Sequence, residues 1–283
     1  MTPSTASPRP DVLRAIVAGT RRIVERRQTE TPREVLEERV AAESSLARGA
    51  RFYTALSRPD RFNVIAECKR RSPSKGVLCP DYDPVAIARS YEEAGAHAVS
   101  VLTEPAFFDG ALEHLEHVRQ GVRDAAFPLL RKDFIVDEYQ VLEAVLCGAS
   151  AILLIVAALS DDELRHLSRV AERHGMAVLV EVHDGEELAR AVAVGTGAIG
   201  VNNRSLKTLD VSLDTAFDLV DRIPRDCVAV AESGLRTGDD LVRLRRAGYD
   251  AFLIGERFMT APDPGRALAE LVQAADRAWE ALA

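Results

Sequence analysis

Cys147-Gly148-Ala149-Ser150-Ala151-Ile152-Leu153-Leu154-Ile155-Val156 is the stretch that decides the fold. Its last six residues are apolar at every position. A sheet with one wet face would alternate polar and apolar residues. A run apolar on both faces suits a parallel strand buried on both sides. The glycine ahead of it reads as a helix C-terminal cap, so a helix delivers the chain into this strand. The same arrangement recurs along the chain. Tyr91-Glu92-Glu93-Ala94-Gly95-Ala96, His174-Gly175-Met176, Val194-Gly195 and Ala247-Gly248-Tyr249 each place a glycine just before a candidate strand. Asp83-Pro84 and Ser160-Asp161-Asp162-Glu163 read as helix starts.

Working outward from this unit, strands are expected to begin near Asn63, Ala98, Pro128, Ser150, Ala177, Ala198, Val228 and Ala251. Eight βα units with a mean spacing of about 27 residues close more readily into a barrel than into an open sheet. The rival, a doubly wound sheet, would carry GxGxxG after its first strand, and that turn is absent. The expected fold is therefore α/β, a (β/α)8 TIM barrel over residues 61–283.

Residues 11–60 read as an N-terminal helical extension. Val12, Leu13, Ile16, Val17, Ile23 and Val24 recur at helical spacing. Thr31-Pro32-Arg33-Glu34 then opens a second helix, running roughly from Pro32 to Arg48. Two helices outside the main core are expected, partly covering the barrel mouth. Residues 1–10, rich in Pro, Ser and Thr, read as a disordered tail of a cytoplasmic protein, without the apolar stretch of a secretory signal.

Composition narrows the partners. The 283 residues are 47% hydrophobic and 28% charged, and the net charge is −8. An acidic chain is a poor general binder of nucleic acid. No segment has the apolar length of a membrane span. The four cysteines, Cys68, Cys79, Cys147 and Cys227, fit no zinc spacing and read as reduced thiols. An anionic ligand would therefore need a local basic cluster.

Barrel enzymes place their chemistry at the C-terminal ends of the strands. The ends here are Glu67-Cys68-Lys69, Arg131-Lys132-Asp133, Glu181-Val182-His183, Asn202-Asn203-Arg204, Glu232-Ser233-Gly234 and Gly255-Glu256. Charged residues inside apolar strands are costly without a partner or a task. Glu67 and Lys69, two apart, face the barrel interior together, with Cys68 turned to the helices. Lys132 and Glu181 join them from other strands, giving opposite charges that tune one another. His183 is expected to point outward by alternation. Arg70, Arg71, Ser72 and Lys75 of the first loop, with Lys69, Arg131 and Lys132, form an expected cationic patch for an anionic substrate. Ser233-Gly234 and Gly255-Glu256 let backbone N–H groups approach a phosphate. Phe107, Phe108 and Phe134 are placed to wall an aromatic ligand.

These runs resemble indole-3-glycerol phosphate synthase, a barrel family of tryptophan biosynthesis. The similarity lies in Glu67-Cys68-Lys69-Arg70-Arg71-Ser72-Pro73-Ser74-Lys75-Gly76, Ser100-Val101-Leu102-Thr103-Glu104 and Leu130-Arg131-Lys132-Asp133-Phe134-Ile135. It continues in Leu179-Val180-Glu181-Val182-His183, Ile199-Gly200-Val201-Asn202-Asn203-Arg204 and Ala231-Glu232-Ser233-Gly234. The resemblance implies a small phosphorylated anionic substrate, 1-(2-carboxyphenylamino)-1-deoxyribulose 5-phosphate. It is closed to indole-3-glycerol phosphate with loss of carbon dioxide and water. No cofactor or metal is implied. Contact with other tryptophan-pathway enzymes would be transient and between separate chains.

By the same resemblance Lys132 is the proton donor to the carbonyl, and Glu181 takes part in proton transfer at dehydration. Glu67 and Lys69 hold the reacting groups, with Lys69 near the carboxylate and a second candidate acid. Asn202 and Glu232 match polar residues around the substrate. Ser72, Arg204, Ser233, Gly234, Gly255 and Glu256 belong to substrate and phosphate binding, and Phe108 and Phe134 to the apolar walls. Family members often have serine where Glu256 stands, so its carboxylate is expected to point away from a phosphate held by backbone. Arg257 and the loop Val77-Leu78-Cys79-Pro80-Asp81-Tyr82 also depart from the commonest form. Read without the resemblance, the same residues allow a Schiff-base aldolase using Lys132 or Lys69, or a non-catalytic sugar-phosphate binding barrel.

Overall fold

The structure, a computed structural model, describes residues 12–42, 49–206 and 208–282. The expected tail over residues 1–10 lies outside the described residues. Eight parallel strands form a closed barrel. They are β1 (Asn63–Cys68), β2 (Ala98–Leu102), β3 (Leu129–Lys132), β4 (Ala151–Ile155), β5 (Ala177–Val182), β6 (Ala198–Asn202), β7 (Val228–Glu232) and β8 (Ala251–Ile254). Each strand pairs with its sequence neighbours, and β1 closes the ring against β8, with Ala66 opposite Ile254. Among the described residues, no helix is long and apolar enough to cross a membrane.

Alternation along the strands sorts the core into two layers. Val64, Ala66, Val99, Val101, Ile152, Leu154, Val178 and Val180 pack outward under the helices. Ile65, Leu130, Leu153, Leu179, Val230 and Leu253 fill the barrel interior. This is why both faces of Ala151–Ile155 are apolar. The helices are bounded as the sequence signals: Ser160 and Glu163 form a capping box at Asp161–Arg173, and Gly148 takes a φ of 75° ahead of β4.

The extension contains three helices: α1 (Val12–Glu30), α2 (Arg33–Ala42) and α3 (Gly49–Leu56). The second ends at Ala42 in the described residues, and the rest of its expected span, to Arg48, lies outside them. The third departs from the expectation that this region stays outside the core. Phe52 and Leu56 of α3 are fully buried and join the interior layer. Asn63 Nδ2 ties the segment down by donating to the carbonyls of Leu56 (2.8 Å), Arg58 (3.0 Å) and Asp250 (2.8 Å). Gly49 makes the approach possible, since a β-carbon there would strike the backbone of Gly175–Ala177.

At the opposite end α1 lies across the mouth, where Val12, Leu13 and Ile16 line its cavity. Its other end is fastened to the helix Glu138–Leu146 that follows β3. Arg27 pairs with Glu143 (3.2 Å), Gln28 donates to Asp137 (3.3 Å), and Tyr139 Oη donates to the carbonyls of Arg27 and Thr31.

Candidate active site

The strand ends open into one cavity of about 490 Å³. Glu67, Lys69, Ser72, Phe108, Lys132, Phe134, Glu181, Asn202, Arg204, Glu232, Ser233, Gly234, Gly255 and Glu256 all line it. These residues span positions 67–256, and the barrel closure alone brings them together.

The floor is a set of buried charges. Lys132 Nζ, from β3, lies 3.2 Å from Glu181 Oε2 of β5 and 3.5 Å from Glu232 Oε2 of β7. Glu67 of β1 pairs directly with Lys69, just past the strand's end. Burial would push the Lys132 ammonium down, but Glu181, Glu232 and Glu67 together hold it well above the usual lysine range. Burial would likewise raise Glu181, but Lys132 and His183 hold its carboxyl well below the ordinary range, with Asn202 adding a hydrogen bond. Glu67 is held low against its burial by Lys69 and Lys132. Glu232 goes the other way. Burial, with Glu181 alongside, outweighs Lys132 and pushes it up to about 8. Its Oε1 has no hydrogen-bond partner among the described residues and lies over Gly200, where any side chain would collide with it. The floor thus pairs one carboxyl held protonated at neutral pH with one held ionised, both at a single ammonium.

The far side of the mouth is suited to an anion. Ser233 and Gly234 both adopt left-handed backbone, with φ of 65° and 81°. Asn203 fixes this turn by donating to the carbonyls of Glu232 (3.0 Å) and Ser233 (3.1 Å). Beside it Glu256 accepts from Lys75 (2.8 Å) and Arg204 (3.1 Å). Its carboxylate therefore faces these two cations of the mouth. Lys75 and Arg204 come from loops after different strands, so no spacing signals their meeting. Phe108 and Phe134 stand with ring centroids 6.2 Å apart, forming an apolar wall. Phe107 is not part of the cavity lining. Leu206, Leu209 and Val211, which no sequence signal marked, complete the apolar side.

Two further readings are corrected. Arg131 does not join the cationic mouth. Next to inward-facing Lys132, it points outward and is fully buried against Asp133 (2.9 Å), Glu143 (3.1 Å) and the Gln140 carbonyl (2.6 Å). Arg70 and Arg71 face Asp109, each at 3.6 Å. His183 does not point outward. Two residues beyond Glu181, it shares its side, with Nε2 3.4 Å from Glu181 Oε1.

So many mutually dependent charges are a costly way to close a barrel rim, and they mark the chain as an acid–base enzyme of the (β/α)8 barrel class. It belongs to the indole-3-glycerol phosphate synthase family, whose profile matches residues 13–271. Relatives named indole-3-glycerol phosphate synthase include one from Albidiferax ferrireducens, 53% identical over 74% of this chain and 78% of the relative. Another, from Koribacter versatilis, is 47% identical over 92% of this chain and 98% of the relative. One from Sulfurimonas denitrificans is 43% identical over the same shares, 92% and 98%. Among solved structures, the tryptophan synthase alpha subunit of Legionella pneumophila superposes with a TM-score of 0.60 at 14% identity. It covers 84% of this chain and 100% of that one, and shares the fold.

Proposed function

We propose that the chain catalyses the reaction of its family, closing 1-(2-carboxyphenylamino)-1-deoxyribulose 5-phosphate to indole-3-glycerol phosphate with release of carbon dioxide and water. The observation that carries this reading is Lys132, set between Glu181 and Glu232 on the cavity floor. The reaction needs an acid where a ketone oxygen gains negative charge, and a base near the same atoms for the later dehydration.

In this reading the anilino ring lies against Phe108 and Phe134, and the substrate phosphate takes the Ser233-Gly234 turn and Gly255, reached also by Ser72, Lys75 and Arg204. Lys69 faces the substrate carboxylate. The ring carbon bearing that carboxylate attacks the ketone carbon, and Lys132 gives a proton to the ketone oxygen. The surrounding carboxylates keep Lys132 charged at neutral pH, ready for that step. The carbon–carboxylate bond then breaks, its electrons returning to the ring system, and carbon dioxide leaves. Finally the new hydroxyl takes a proton from Lys69, the second acid of the site, and departs as water, while Glu181 accepts the proton of the adjacent ring carbon, which completes the aromatic indole. Glu67 fixes Lys69, and Asn202 fixes Glu181.

The four free cysteines support a reducing compartment, and we place the enzyme in the cytoplasm. Encounters with neighbouring tryptophan-pathway enzymes would be transient. The test is an assay of the purified protein with the carboxyphenylamino substrate, read by indole fluorescence. Product formation is expected, without a borohydride-trapped adduct. A trapped adduct on Lys132 or Lys69, or no product, overturns the reading.

A further inference from the structure

His183 is a half-buried residue to which the scheme above gives no task. Its side chain is 11% exposed. Nδ1 lies 3.0 Å from Glu187 Oε2, and the same carboxylate oxygen accepts the backbone N–H of His183 at 2.8 Å. One carboxylate thus fixes both the ring and the chain that carries it. Nε2 faces Glu181 Oε1 at 3.4 Å, an ion-pair contact slightly long for a hydrogen bond, and has no hydrogen-bond partner among the described residues. The other oxygen of Glu181 faces Lys132. The result is a row of ionisable groups, Glu187, His183, Glu181, Lys132 and Glu232, of which the last three line the cavity.

We propose that His183, held doubly protonated by Glu187, is a positioning residue that clamps Glu181 as an aligned, ionised base between two cations. The inference rests on the role given to Glu181 above. Charge balance supports it. With Glu232 protonated, the three carboxylates Glu67, Glu181 and Glu187 face the three cations Lys69, Lys132 and His183. Removing the imidazolium leaves this buried assembly one positive charge short, and the least costly remedy is a proton on Glu181.

Among the described residues, Glu181 and Glu187 are the charged groups that contact the ring. On β4 the residue opposite Glu181 is Ile155, and on β6 the polar neighbour is Asn202. Asp184 is occupied in capping the helix Gly185–Val194, and Arg222 donates to the Gly185 carbonyl. Burial alone would make His183 neutral, but Glu181 and Glu187 outweigh it and push the imidazolium up to about 10. For the variant the sign follows directly. Without the cation the Glu181 carboxyl rises, a base must be ionised to act, and activity is lost at higher pH on the acid side.

The experiment compares His183→Gln with the wild-type chain. The expected result is a fall in kcat of at least about tenfold with KM little changed, and an acid limb displaced to higher pH. His183→Lys, which restores the cation, moves that limb back. A purely structural role would lower kcat without moving the limb, and that outcome overturns the proposal. Imidazole 15N NMR of the wild-type protein gives a readout independent of turnover and of variant folding. Both nitrogens of His183 carrying protons at pH 8 supports the clamp, and a neutral ring overturns it. Absence of turnover in the wild type would instead sink the proposed reaction and leave the NMR result to decide the clamp.

Discussion

A β-carbon on Gly255 would run into the carboxylate of Glu67. The contact follows from barrel closure, which pairs β8 with β1 and places Ile254 opposite Ala66. Gly255 has a φ of −126°, which any residue adopts. Its value at this site is therefore space, in addition to the access it gives an oxyanion. Gly255→Ala must displace Glu67 and with it Lys69. Turnover is expected to fall on the order of 10²-fold, with the thermal midpoint nearly unchanged. Steady-state kinetics and a melting curve check this, and normal kcat would show that Glu67 has no positional role.

Glu232 makes stability depend on pH in a predictable direction. Its carboxyl titrates at about 8 in the folded protein, against roughly 4.3 in an unfolded chain. The folded state binds this proton more tightly, so the group's stabilisation is complete at low pH. It is lost as pH rises from the ordinary glutamate range to about 8. Glu232→Gln removes that titration. The stability of the variant relative to wild type should therefore climb between pH 5 and pH 8. A constant difference, measured by urea unfolding across that range, would show that Glu232 is not held protonated.

Arg131 is predicted to be a stability residue, although it adjoins Lys132. Its side chain bonds to Thr103, Asp133, Gln140 and Glu143 and takes no part in the cavity lining. Arg131→Met strands two buried carboxylates and should cost about 3–5 kcal/mol, read by denaturant unfolding. Unchanged stability would mean that the carboxylates find other partners.

The helix α1 should act on substrate affinity. Val12, Leu13 and Ile16 contribute apolar surface to the mouth, whereas Phe52 and Leu56 of α3 close the other end of the barrel. A chain beginning at Thr31 should keep its barrel but raise KM by about tenfold or more, the loss expected for one well-buried aliphatic contact. Unaltered KM would remove α1 from the site.

The sequence made the barrel legible because its signals are local. The glycines before five of the strands and the two-sided apolar runs locate six strand starts to the residue. The other two fall one residue on, at Leu129 and Ala151. Parity was the weaker guide. Alternation sends Arg131, one residue from Lys132, outward and His183, two from Glu181, inward, the reverse of the sides expected for them. The helix α3 was missed because Phe52 and Leu56 give only a single i,i+4 pair, too short a pattern to stand out. The Lys75–Glu256–Arg204 cluster was illegible for a deeper reason: its members share no element, and their meeting depends on closure of the ring.

The central claim is that Lys132 supplies the proton for ring closure, and Lys132→Ala tests it most directly. Single-turnover kinetics with the carboxyphenylamino substrate, read by indole fluorescence, should show a rate reduced by at least about 10²-fold. Substrate affinity, measured separately by equilibrium binding, should stay within about tenfold, one step of 1.4 kcal/mol. A variant that closes the ring at the wild-type rate would contradict the account.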